Sequence, residues 1–160
     1  MQTLIKNCLP LILAAVVSQT VATEKDWSAP LQVAETLLQA GDYAAARPAY
    51  EAQAQLGNGL AQFTLGLFYQ LGWGVTVSPS QSCNWFKLAA ENQIPAAQEQ
   101  LGYCYQNDHF ATAEQALALR WFEQAYQAGI IPAGCAMGKL LVDGSYVAAD
   151  PHKGLQLCQQ

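Results

Sequence analysis

The stretch LGLFYQLGWGV at residues 65–75, followed by WFKLAA at residues 85–90, decides the fold of this 160-residue chain. Its landmark residues return after 36 positions. Glycine occurs at 66, 102 and 138, alanine at 61, 97 and 133, and the pair Trp85-Phe86 recurs as Trp121-Phe122. A fixed period of this length is typical of stacked helical units. The repeat therefore predicts an all-α chain built as a solenoid of antiparallel helix pairs.

The residues between these landmarks place the helices. In the first unit we expect helix A at residues 61–71 and helix B at residues 79–92, joined by a glycine-rich turn at residues 72–75. Each helix A carries an interior glycine, which costs about 1 kcal/mol relative to alanine. We therefore expect a neighbouring helix backbone to pack too closely on these glycines for a side chain to fit, and the bulky Trp and Phe of helix B to supply the complementary surface.

A separate helical hairpin precedes the 36-residue units. Apolar residues at helical spacing run from Leu31 to Ala40, the pair Gly41-Asp42 ends that helix, and a second helix starts at Tyr43. This turn resembles a tetratricopeptide repeat. We assign residues 31–58 to the hairpin.

The motifs at residues 65–75 and 85–90 resemble the Sel1-like repeat of the tetratricopeptide-like superfamily. The resemblance covers about residues 59–158. It is weaker in the second unit, which lacks the Gly-x-Gly turn, and in the third, where Leu157 and Cys158 replace the Trp-Phe pair. The resemblance implies a right-handed α/α superhelix with three repeats at residues 59–160, the third incomplete.

The first 22 residues have the layout of a secretory signal peptide. Lys6 precedes an apolar run at residues 8–17, and small residues lead to a cleavage site after Ala22. The apolar run is shorter than the roughly 20 residues that span a bilayer, so a retained anchor or a lipoprotein is the weaker alternative. Residues 23–30 are a polar lead-in. We predict a periplasmic or secreted protein with no membrane span after cleavage.

The charge of the chain disfavours some partners. The formal net charge is −5, and removal of the leader, which holds Lys6 and no acid, lowers it to −6. An acidic chain without basic clusters is a poor ligand for nucleic acid or anionic membranes.

Four cysteines remain once Cys8 is removed, and four cysteines allow three pairings. Antiparallel helices place Cys83 opposite Cys104 across one inter-helix turn, and Cys135 opposite Cys158 across another. The remaining pairings join helices that are not neighbours, or residues too far offset for a disulfide. We predict Cys83–Cys104 and Cys135–Cys158, each worth about 3 kcal/mol in the chain-entropy model. Four free thiols are the alternative, and a zinc site is disfavoured because the ligand spacing is absent.

The sequence offers little catalytic chemistry. His109 and His152 fall in inter-helix turns, and the motifs of serine β-lactamases are absent. We predict no catalytic residue, no metal site and no cofactor. The leading hypothesis is a non-enzymatic adaptor that binds a protein or peptide. Because some cysteine-rich Sel1-like proteins have been associated with β-lactam hydrolysis, an enzyme acting on cell-wall or β-lactam substrates is the alternative.

Helix A of tetratricopeptide-type stacks lines a concave groove. By phase, the candidate groove-binding residues here are Gln62, Gln70, Gln98, Gln106 and Lys139. Three aromatic residues lie in turns, where packing between repeats is favoured over contact with a ligand: Trp73, Phe110 and Tyr146. No polar capping helix follows the third unit, so we expect a partner or self-association at the C-terminal end.

Overall fold

The computed structural model describes residues 26–107, 114–143 and 150–159. In these ranges the chain is entirely helical, with no strand, and begins with a short 3-10 helix at Ala29–Leu31. Eight α-helices follow: α1 Gln32–Gln39, α2 Tyr43–Gln55, α3 Gly59–Leu71, α4 Pro79–Glu91, α5 Pro95–Gln106, α6 Gln115–Gln127, α7 Ile131–Asp143 and α8 Pro151–Leu157. The predicted signal peptide lies outside the described residues, as do His109, Phe110 and Tyr146.

The helices form an α-solenoid, which confirms the predicted fold class. Each helix packs chiefly against the next one in the chain, and the closest associations are within the pairs α3–α4, α5–α6 and α7–α8. The A helices of these pairs begin at residues 59, 95 and 131, and the B helices at residues 79, 115 and 151, so both series keep the 36-residue step. Helices α1 and α2 form the preceding hairpin. No helix in the described ranges has the length and apolar character needed to cross a membrane.

Side chains define several helix starts. Ser78 Oγ accepts a hydrogen bond from the backbone N–H of Gln81, and Pro79 occupies the first turn of α4. Asp42, Asn58 and Asp150 cap α2, α3 and α8 in the same way. These caps satisfy backbone N–H groups that have no partner within the helix.

The interior glycines of the first two repeats face aromatic rings. A Cβ atom on Gly102 would lie 2.6 Å from Cδ1 of Phe122, and one on Gly66 would overlap the Phe86 ring. Both rings are almost completely buried. The expectation of a neighbouring backbone is therefore wrong for these repeats, because the phenylalanine of helix B fills the space above the glycine of helix A.

The third repeat replaces the ring with direct backbone contact. Cys158 stands 36 residues after Phe122, so no phenylalanine separates α7 from α8. A Cβ atom on Gly138 would overlap the carbonyl oxygen of Gly154. Here the neighbouring helix backbone does exclude a side chain, as expected, and α8 requires a glycine of its own.

Trp73 joins the hairpin to the first repeat. Its ring stacks on Tyr43 of α2, with ring centroids 5.6 Å apart and planes 4° from parallel, and lies edge-on to Phe68 of α3. Gly74 follows with a φ of +65°, which glycine adopts readily. In the described part of the chain, the turn aromatic therefore serves packing between units.

The backbone contact in the third repeat makes Gly138→Ala strongly destabilising. Alanine favours the helix by about 1 kcal/mol, but overpacking costs about 1–3 kcal/mol or more, and a backbone carbonyl cannot move aside as a side chain can. We expect the free energy of unfolding to fall by about 1–3 kcal/mol in denaturant titrations of the oxidised protein.

Lys139→Ala is the matched control for this change, because Lys139 is the next residue of α7 and is exposed. We expect it to change the free energy of unfolding by less than about 0.5 kcal/mol. A Gly138→Ala variant as stable as this control would contradict the described contact.

Candidate functional site

A small pocket lies where the first two repeats meet, between the C-terminal halves of α3 and α5 and the start of α4. We call it the junction pocket. It has a volume of about 140 Å³, and its lining residues are Gln70, Val77, Pro79, Ser82, Cys83, Phe86, Gln100, Tyr103, Cys104 and Asn107. An engineered cavity of about 150 Å³ holds a benzene molecule, whereas small-molecule sites measure about 300–1,000 Å³. The junction pocket therefore has room for one apolar side chain.

The base of the junction pocket is apolar and buried. Phe86 and Cys83 are buried there. The hydroxyl of Ser82 is also buried and donates a hydrogen bond of 2.9 Å to the carbonyl oxygen of Gly66. Since this polar group is satisfied within the protein, an apolar group entering the pocket meets no competing donor at its base.

Neutral amides surround the mouth of the junction pocket. Gln70 Nε2 donates a hydrogen bond of 3.1 Å to Gln100 Oε1 across the boundary between repeats, and Asn107 is exposed beside them. Each carboxamide has both donor and acceptor groups, as a peptide backbone does. Val77 adds an apolar surface at the mouth, where 55% of it is exposed.

Two cysteine pairs lie at disulfide distance. The Cα atoms of Cys83 and Cys104 are 5.8 Å apart, and those of Cys135 and Cys158 are 4.2 Å apart. These are the two pairs that the repeat register predicts. Such pairs are typical of oxidising compartments and hint at one here. Because Cys83 and Cys104 are bonded to each other, neither supplies a nucleophilic thiolate to the junction pocket.

The remaining titratable group among the described lining residues is Tyr103. Burial raises the pKa of its hydroxyl, and the negative charge of Glu99, one turn earlier on α5, raises it further. Burial also raises the pKa of the Glu99 carboxyl. Tyr103 therefore stays neutral near pH 7, and the described lining supplies no general base to the pocket.

The five candidate groove residues do not share one accessible surface. Gln70 is exposed at the junction pocket, Gln106 is half-buried near the end of α5, and Lys139 is exposed on α7. Gln62 and Gln98 are buried, with only 5% and 8% of each residue exposed. The expectation that they line an open groove is therefore wrong for these two.

Gln62 forms hydrogen bonds between helices in the first repeat. Its Nε2 donates a hydrogen bond of 3.1 Å to the carbonyl oxygen of Ala54, and its Oε1 accepts one of 2.8 Å from Asn92 Nδ2. The side chain thus ties the end of α2 to the end of α4. Helical phase alone does not separate a glutamine that faces solvent from one that bridges two helix ends.

Several residues of the junction pocket are absent from the sequence-based candidates. Val77 lies in the connection before α4, Pro79 is the first residue of α4, and Gln100 and Tyr103 lie on α5. None of these four residues recurs as the same amino acid 36 positions away, so the repeat register does not mark them as candidate site residues. The feature of the sequence that could have indicated this pocket is the pair of polar residues Gln70 and Asn107 at the ends of successive A helices.

The histidines lie away from this pocket or outside the described residues. His152 is exposed at the start of α8. Across the described ranges, no group of three or more histidine, cysteine, aspartate or glutamate side chains is arranged to hold a metal ion.

The sequence matches the model of the Sel1 repeat at residues 59–93, 95–130 and 133–160. These segments make up more than half of the chain and coincide with the three helix pairs. The chain belongs to the Sel1 repeat family.

Two solved structures show the same architecture. A Sel1 repeat protein from Oxalobacter formigenes is 27% identical, with a TM-score of 0.71 over 81% of this chain and 53% of its own. The protein c5321, a protective antigen of uropathogenic Escherichia coli with an SLR fold, is 26% identical, with a TM-score of 0.76 over 86% of this chain and 30% of its own. This chain thus spans about half and about a third of these two proteins. A search of curated proteins gives no match.

Proposed function

We propose that this chain is a non-enzymatic adaptor that binds a protein partner in the periplasm or outside the cell. The junction pocket carries this proposal, because it combines room for one side chain with a neutral amide rim and a lining that supplies no base or nucleophile. The Sel1 repeat is a helical scaffold, and such scaffolds mediate protein–protein interaction in general.

The pocket suits an extended segment of a partner. One apolar side chain would enter between Val77 and Phe86, and the neighbouring backbone would reach the carboxamides of Gln70, Gln100 and Asn107. A few anchors inserted in desolvated pockets usually dominate the affinity of an interface. Exposed Leu71, on the last turn of α3, would extend the apolar contact beyond the pocket.

Three of the sequence-based candidates remain part of the proposed surface. Gln70 lines the pocket itself, while Gln106 and Lys139 lie further along the A helices of the second and third repeats. Lys139 places a positive charge on an otherwise acidic chain, which would favour an acidic group in the part of the partner that reaches α7.

The C-terminal end is a second proposed contact surface. Val142 of α7 and Leu155 of α8 are 45% and 60% exposed, and both lie on the last helix pair. Adjacent exposed apolar side chains favour association. We propose that copies of the chain self-associate here, and sedimentation that stays monomeric at high concentration would count against it.

Substitution of the pocket mouth tests the adaptor proposal. A random peptide library is panned against the oxidised protein, and we expect enriched peptides to share one apolar residue within a neutral stretch. Val77→Asp places a carboxylate beside the apolar anchor, so the selected peptides should bind at least about tenfold more weakly, a loss of about 1.4 kcal/mol.

Val33→Asp is the control, since it makes the same chemical change on α1, where 73% of Val33 is exposed, away from the pocket. We expect it to leave peptide affinity unchanged. Equal losses in both variants, or no enriched peptide, would argue against the pocket as the binding site. Saturable hydrolysis of a β-lactam by the oxidised protein would instead support the enzyme alternative.

Expression with the native leader tests the proposed location. In a Gram-negative host we expect mass spectrometry of the periplasmic fraction to find a chain that begins at Thr23, with no cysteine open to alkylation before reduction. A variant without residues 1–22 should stay in the cytoplasm with reactive thiols. An intact N-terminus in the membrane fraction would favour the retained anchor.

A further inference from the structure

A second cleft lies at the opposite end of the helices from the junction pocket. It has a volume of about 500 Å³ and is lined by Gln93, Gln98, Gln124, Gln127 and Ala128. We call it the amide cleft. Its described lining consists of four glutamines and one alanine, with no charged side chain. The cleft therefore offers hydrogen bonds from neutral groups.

One hydrogen-bond acceptor in this cleft is unsatisfied. Gln98 is 92% buried, and its Oε1 atom is shielded from solvent with no hydrogen-bond partner among the described residues. Buried polar side-chain atoms nearly always have a partner, and each exception in a folded protein calls for an explanation.

The corresponding glutamine of the first repeat has the hydrogen-bond donor that Gln98 Oε1 lacks. Gln62 stands 36 residues before Gln98, and its Oε1 accepts a hydrogen bond from the carboxamide of Asn92. The residue 36 positions after Asn92 is Ala128, which lines the amide cleft. The second repeat therefore keeps the buried acceptor but has lost its donor, and an alanine lines the cleft at the position of that donor.

We propose that the amide cleft binds a primary carboxamide, the side chain of an asparagine or glutamine of a partner protein. The Gln98 carboxamide would turn its shielded Oε1 toward the cleft, and the incoming amide N–H would donate to it, as Asn92 Nδ2 donates to Gln62 Oε1 in the first repeat. Its carbonyl oxygen would accept from the exposed carboxamides of Gln124 or Gln127.

The chemistry of the cleft distinguishes a carboxamide from charged groups. A carboxylate has no donor for Gln98 Oε1. An ammonium group would lose its hydration without meeting an opposite charge among the described lining residues, which is unfavourable. This site is separate from the junction pocket and does not depend on the adaptor proposal.

Propanamide is a direct probe of the site. It is titrated into the oxidised, isotope-labelled full chain while the side-chain amide resonances of the glutamines are followed by NMR. We expect saturable shifts centred on Gln98, at least tenfold weaker with propanoate, and unchanged in Val77→Asp. No saturable shift, or equal binding of propanoate, would overturn the proposal.

Ala128→Asn restores the donor found in the first repeat. We expect the melting temperature to rise by about 2–5 °C and propanamide binding to fall at least tenfold, because the new side chain occupies the site. Gln98→Leu removes the acceptor and should abolish binding in a protein that remains folded. Full propanamide binding by either variant would contradict the proposal.

Leu56→Asn is the matched control. Leu56 follows α2 directly, as Asn92 follows α4 and Ala128 follows α6. Leu56 is exposed, so the same residue is introduced at a corresponding helix end. We expect propanamide binding to be unchanged. A loss equal to that of Ala128→Asn would show that the effect does not arise in the amide cleft.

Discussion

The stack depends on the contact that a phenylalanine ring of helix B makes with a glycine of helix A in the first two repeats. Gly66 meets Phe86 in the first repeat and Gly102 meets Phe122 in the second, and neither glycine has room for a Cβ atom. The interior glycine costs the helix about 1 kcal/mol. Replacing a buried phenylalanine by alanine typically costs about 3–5 kcal/mol. Burial of the ring therefore outweighs the weak helix propensity of the glycine, and the pair fixes how closely the two helices approach.

Differences at corresponding positions distinguish the three repeats from one another. In the third repeat a cysteine replaces the phenylalanine, the backbones of α7 and α8 meet through Gly138 and Gly154, and a second cysteine pair joins the helices. In the second repeat, Ala128 stands where the first has Asn92, and it lines the amide cleft. One scaffold thus acquires separate surfaces through single changes at corresponding positions of the repeat.

Much of the fold follows from the sequence because it depends on residues that recur. The period locates the A and B helices, and antiparallel geometry selects the two cysteine pairs. The nature of the glycine contact did not follow, since a missing side chain leaves space that either a ring or a backbone could fill. Only the change from Phe122 to Cys158 distinguishes the two outcomes, and its consequence needs coordinates.

The candidate site was less predictable than the fold. Helical phase ranks glutamine as a surface residue, yet Gln62 and Gln98 lie inside, where carboxamides link helix ends. The junction pocket draws on Pro79 at the start of α4 and on Val77 from the preceding connection, whose path depends on tertiary packing. Most of its lining residues do not recur at the 36-residue step, and an argument based on the likeness of the repeats cannot find positions that differ between them.

A double-mutant cycle on Gly102 and Phe122 tests the central contact most directly. Gly102→Ala should destabilise the native protein by about 1–3 kcal/mol, despite the higher helix propensity of alanine. In a Phe122→Ala background the same change should be neutral or stabilising by up to about 1 kcal/mol, since the ring is gone. Effects that add to within about 0.5 kcal/mol would contradict the account, because they would show that the glycine and the ring do not constrain each other.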